Sequence, residues 1–154
     1  MKITGFRIGL VSARLRVPFK TALRTVDSVE DVIVELETST GQIGRGEAPP
    51  TAAITGETLD SIIAALRDHI CPKLVGRDIS DFEELQSTVQ TAIVGNSSAK
   101  AAADIALWDL YAQNCGLPLY RLLGGGTPRL ETDLTISVNS PEIMAKDAEY
   151  GINS

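Results

Sequence analysis

The stretch Pro18-Phe19-Lys20-Thr21-Ala22-Leu23-Arg24-Thr25 gathers the side chains best suited to chemistry on a small anion: cations at Lys20 and Arg24, hydroxyls at Thr21 and Thr25, and an aromatic ring at Phe19. Cations and hydroxyls gathered on one loop suit a small anion, and a guanidinium fork is able to match a carboxylate with two parallel N–H donors. The competing reading of Arg24 is an exposed loop arginine. A second polar stretch, Gly46-Glu47-Ala48-Pro49-Pro50-Thr51-Ala52-Ala53-Ile54-Thr55-Gly56, follows the next hairpin. Two such loops on one small sheet suit a clamp for a small anionic ligand.

Those loops need a frame. Residues 2–17 alternate often enough to predict one long strand, with Ile3, Phe6, Ile8, Leu10, Leu15 and Val17 as its apolar positions and Pro18 as its end. Val29–Thr38 predicts a cleaner strand, since Val32, Val34 and Leu36 share one face while Asp31, Glu35 and Glu37 mark a wetter one. Thr40-Gly41 is the turn, and Gln42–Ala48 returns as a third strand. Pro49-Pro50 has no N–H to donate and stops the pairing. Helical spacing follows at 57–69, at 81–94, and from about Ala99 to Asn114, where Asn96-Ser97-Ser98 offers a cap. The last of these carries a stripe of small residues (Ala99, Ala102, Ala103, Ala106), so another backbone should approach it closely. Gly116 and Pro118 end it. Gly124-Gly125-Gly126 reads as a linker rather than a phosphate loop, because no Lys-Ser/Thr follows. Leu130–Val138 alternates like a new strand, and Ser140-Pro141-Glu142 opens a last helix.

Composition narrows the function class. The chain has 154 residues, 44% apolar and 22% charged, as in globular domains with a packed core. A net charge of -6 argues against nucleic acid as a partner. No run reaches bilayer-spanning length, and Met1–Arg7 alternates like a strand rather than opening a signal segment, so a cytoplasmic protein without a membrane partner is expected. Cys71 and Cys115 are not close-spaced and read as reduced thiols.

The order of β-meander, three helices, Gly-rich connection, strand and helix resembles the N-terminal capping domain of the enolase superfamily followed by the first unit of its barrel. The chain is most similar to the muconate-lactonizing subgroup and, within it, to the dipeptide epimerases. The segments that carry this are Pro18–Thr25, Gly44-Arg45-Gly46-Glu47-Ala48-Pro49-Pro50, Ile54-Thr55-Gly56, Gly95–Ala102, Cys115–Tyr120, Leu122–Gly125 and Leu130–Pro141. The implied fold class is an α+β capping domain, with a three-stranded antiparallel meander followed by helices, plus the first β/α unit of a truncated (β/α)8 barrel. The expected domains are 1–125, the cap, and 126–154, the start of the barrel.

The resemblance implies reversible 1,1-proton transfer at the α-carbon of the glutamyl residue of L-Ala-D/L-Glu. In such enzymes Mg²⁺ stabilises an enediolate while lysines on opposite faces move the proton. Those lysines and the Mg²⁺-binding carboxylates belong to the barrel, which takes about 250 residues. No Lys-x-Lys occurs here, and the residues after Gly125 suffice for roughly one strand and one helix. No catalytic or metal-binding residue is therefore expected in this chain, which reads as a fragment, a truncated product or one piece of a split enzyme. Its implied partners are a dipeptide and the barrel portion of the same enzyme, and a homo-oligomer is expected for the whole.

The substrate contacts implied by resemblance are Arg24, on the glutamyl side-chain carboxylate; Thr135, on the first barrel strand; and Phe19 and Ile54, walling the pocket. Lys20 and Thr21 are weaker candidates. Thr135 also suits a strand by β propensity alone, and Phe19 and Ile54 also suit ordinary packing. His69 suits a helix C-terminus, Glu47 a structural stretch, Asp104 and Asp109 helix–barrel hydrogen bonding, and Trp108 and Tyr111 the core. Two other functions stay open: a stand-alone, non-catalytic binding or interaction module, and a related subgroup activity (muconate cycloisomerase, o-succinylbenzoate synthase or N-acylamino acid racemase).

Overall fold

The structure, a computed structural model, describes residues 1–22, 24–126 and 130–152. Leu23 and Asn153-Ser154 lie outside the described residues. Three strands, β1 (Ile3–Lys20), β2 (Thr25–Thr38) and β3 (Ile43–Ala48), form an antiparallel meander in the order β1-β2-β3. Among the described residues six α-helices follow: α1 (Ala52–Thr55), α2 (Leu59–Ala64), α3 (Phe82–Thr91), α4 (Ser97–Asn114), α5 (Leu119–Leu122) and α6 (Pro141–Ile152). The chain divides into two compact units. One comprises Met1–Val11 and Glu30–Gly126, the other Ser12–Val29 and Thr127–Ser154.

In the first unit the register pairs Val32 with Ala48, Val34 with Gly46 and Leu36 with Gly44. With a side-chain period of two, these residues share the inward face, and all six are buried. The outward face pairs Glu35 with Arg45, whose Nε lies 2.8 Å from the carboxylate, and Arg7 bridges both Glu35 and Glu37. Helix α4 lies against the inward face. A Cβ on Gly46 would collide with the Ala102 carbonyl, and one on Gly44 with the Ala106 carbonyl and with Leu110. Glycines on the strand and alanines on the helix are thus one solution to one close approach. The remaining core is aliphatic, built on Ile62, Leu66, Ile70, Leu74, Leu85 and Leu107, each worth about 1.5–3 kcal/mol by its burial. Phe82 stacks on Tyr111 at 4.3 Å and meets Trp108 edge-on at 4.6 Å.

The β3 edge of this sheet and the start of its β1 edge are bonded to other segments of the unit. On β3, the Arg45 N–H donates to Asp109 Oδ2 (3.0 Å) and the Ile43 carbonyl accepts from Gln113 Nε2 (3.0 Å). At the start of β1, Ile3 N–H donates to the Arg77 carbonyl and the Ile3 carbonyl accepts from Gly76 N–H. Asp109, expected to bond toward a barrel, accepts this bond from its own sheet.

Several boundaries differ from the sequence expectation. β1 runs through Pro18 because it is an edge strand, where a missing N–H costs no ladder bond. β2 begins at Thr25, so the expected loop shrinks to a tight hairpin. The expected helix over 57–69 starts at Leu59, where Thr58 and Ser61 cap each other, and then loosens into a π-helical turn over Ala65–Ile70. The single turn α1 interrupts the second polar loop.

In the second unit, Lys20 N–H donates to Ser137 Oγ (3.3 Å) and Val138 N–H donates to the Lys20 carbonyl (3.0 Å). Residues 130–138, expected as a strand, form no ladder. A barrel strand needs a backbone partner on each side, and the two bonds to the Lys20 backbone involve one end of 130–138, at Ser137 and Val138. Helix α6 starts at Pro141 as expected.

Candidate functional site

The hairpin joining β1 and β2 is closed by its own residues. Thr21 N–H donates to the Arg24 carbonyl (2.9 Å), and Arg24 N–H donates back to Thr21 Oγ1 (3.2 Å). Both backbones at the tip are therefore fixed while the Arg24 side chain is exposed. No ion pair to Arg24 occurs among the described residues, so its guanidinium fork is available for a carboxylate from outside. Phe19 is half-buried and precedes Lys20, whose backbone carries the two bonds to Ser137 and Val138. Thr135 is exposed and lines an open depression of about 200 Å³ with Val17, Asp147 and Tyr150. Arg24, Phe19 and Thr135 thus belong to one unit, although neither Arg24 nor Phe19 lines that depression.

Ile54 belongs to the first unit. It sits on α1, a turn with no buried residue, and is 78% exposed. Thr51 and Thr55 join their hydroxyls (3.2 Å), and Gly56 closes the turn in the left-handed region at φ 78°.

The sequence reading missed Glu57. Its side chain lies at the N-terminus of α4, where Ser98 N–H donates to both oxygens (3.0 Å each), the Ser98 hydroxyl donates at 2.9 Å and the Ser97 hydroxyl at 3.0 Å. Burial pushes the carboxyl pKa up, but the donors of Ser98 and Ser97 outweigh it, and the net shift is downward. Asn96, expected to help cap α4, instead takes a left-handed backbone (φ 53°), and its amide donates to the Val94 carbonyl. The available signal was the Thr58-Leu59-Asp60-Ser61 start pattern, which leaves Glu57 outside its own helix.

Cys71 is buried, which pushes its thiol up to about 12, and Cys115 is exposed; both are free. Among the described residues no group of three or more His, Cys, Asp or Glu could hold a metal ion. The donors present among the described residues do not fit Mg²⁺. No helix among the described residues is long and apolar enough to cross a membrane.

A sheet bearing paired glycines, an alanine-striped helix and a cationic hairpin define an α+β capping domain. Residues 3–124 match the family described as mandelate racemase / muconate lactonizing enzyme, N-terminal domain, and the chain belongs to that family. It is 52% identical over 148 residues to the L-Ala-D/L-Glu epimerase of Clostridium acetobutylicum, covering 96% of this chain and 41% of that protein. The substrate-liganded L-Ala-D/L-Glu epimerase of Bacillus subtilis superimposes with a TM-score of 0.95 at 48% identity, covering 99% of this chain and 43% of the other. The dipeptide epimerase of Cytophaga hutchinsonii, complexed with Mg and the dipeptide D-Ala-L-Val, gives a TM-score of 0.87 at 37% identity, covering 96% and 40%. The chain therefore spans about two-fifths of the length of these relatives.

Proposed function

We propose that this chain is the N-terminal, substrate-selecting part of a cytoplasmic, Mg²⁺-dependent dipeptide epimerase acting on L-Ala-D/L-Glu from cell-wall peptide. Residues 1–125 act as the cap, and 126–154 open the barrel. The observation that carries this reading is the 52% identity to an L-Ala-D/L-Glu epimerase along almost the whole chain. The exposed Arg24 on a self-closed hairpin supports it, because a backbone already tied at the tip presents the cation with only its side chain left to order. In this reading Arg24 pairs with the glutamyl side-chain carboxylate, while Thr135, Phe19 and Ile54 make the remaining contacts from this segment. The Mg²⁺ ligands and the lysines that exchange the α-proton are assigned to the barrel, where bound Mg²⁺ would stabilise the enediolate.

The test is Arg24→Ala in the complete enzyme. Loss of a bidentate charge-assisted pair should lower kcat/KM for L-Ala-L-Glu about a hundredfold. An uncharged dipeptide such as L-Ala-L-Leu should lose little. Equal losses on both substrates, or none on the glutamyl one, would remove Arg24 from the carboxylate-binding role.

A further inference from the structure

The turn that carries Ile54 has little to hold it. Pro49 and Pro50 offer no N–H, α1 buries no residue, and the Thr51–Thr55 bonds stiffen the turn without tying it to anything else. Apart from the bonds by which Thr58 caps α2, the hydrogen bonds among the described residues that link 49–58 to another element are those of the Glu57 side chain. Glu57 lies three positions from Ile54, is 6% exposed, and its own N–H donates to Thr55 Oγ1 (3.3 Å). One end of the residue holds the turn and the other holds α4, the helix keyed to β3 by the glycine–alanine contact.

We propose that Glu57 is a positioning residue for substrate: its carboxylate pins the 49–56 turn, and with it Ile54, to the N-terminus of α4. The inference rests on the reading of Ile54 as a substrate contact. Neither oxygen of Glu57 is spare, since donors converge on both. A glutamine keeps the volume but offers one acceptor oxygen, and it turns an NH₂ group toward donors.

Two measurements on the full-length enzyme test this. In Glu57→Gln, amide exchange over 51–56 should accelerate about tenfold, roughly one lost charge-assisted bond, while Ala106–Leu110 in α4 stay protected. For L-Ala-L-Glu the KM should rise about tenfold with kcat within about twofold. Ser98→Ala, which keeps the N–H donor, should move both quantities the same way by less, and it decides the matter if Glu57→Gln does not fold. Unchanged exchange over 51–56 overturns the pin. Faster exchange with an unchanged KM overturns the link to substrate. An unmutated enzyme that turns over no dipeptide defeats the functional reading instead, and the exchange data still judge the pin.

Discussion

Buried or tightly bonded carboxylates make the acid response of this chain specific to a few residues. The Glu57 carboxyl titrates below its ordinary 4.5 because the Ser98 and Ser97 donors outweigh the opposing effect of burial. Its contribution is therefore complete above about 4.5 and drains away as pH falls through the lowered folded value. Asp78 behaves alike lower down. The N–H and hydroxyl of Ser80, then the terminal amine, hold it at about 2 instead of 3.8. Urea midpoints should accordingly decline from pH 4.5 downward, and Glu57→Gln should flatten the upper part of that slope while Asp78→Asn flattens the part between 3.8 and about 2. An unaltered slope in Glu57→Gln would mean that its carboxyl titrates alike in folded and unfolded chains. At this scale the sequence was legible in part. That Arg24 sits exposed at a turn between two strands could be read from its polar neighbours, whereas the partners of Glu57 lie 40 and 41 positions away and no local pattern names them.

At the scale of elements, one contact organises the fold: β3 lying backbone-close on α4. Gly46→Ala would set a methyl group against the Ala102 carbonyl, which the helix backbone cannot yield cheaply. The expected cost is about 1–3 kcal/mol, typical of overpacking, with Gly41→Ala as the contrasting case where strain at φ 87° arises without any collision. Urea denaturation of both variants measures it, and a Gly46→Ala chain as stable as the parent would show that α4 can retreat. The alanine stripe spelled out this close approach in advance, because small residues at helical spacing have few other uses. The element ends were less legible. Pro18 is compatible with β1 only because that strand lies at an edge, and the π-helical turn over Ala65–Ile70 depends on what packs around it.

Across the whole molecule, burial is uneven. The first unit holds every buried residue described, and the second holds none, with Leu130 90% and Tyr150 74% exposed. Stability should follow that division in this chain. Amides of β2 from Val32 onward and of α4 should show exchange protection approaching that of global unfolding, while those of 130–140 and α6 exchange within a few-fold of an unstructured peptide. Equal protection in α4 and α6 would contradict this.

The covered sheet edges have a consequence for how the first unit can be joined to anything else. Strand addition requires a row of unused donors and acceptors. On β3 that row is interrupted by Asp109 and Gln113, and at the start of β1 by the 76–77 backbone. Those two groups project from α4, the helix already pressed against the glycines, so the cover on β3 comes from an element held in place by the core. A grafted tag strand, a domain-swapped copy or an amyloid-like template would find no continuous ladder to extend at either place, and any fusion that relies on sheet continuation has to be aimed past Ile3 along β1.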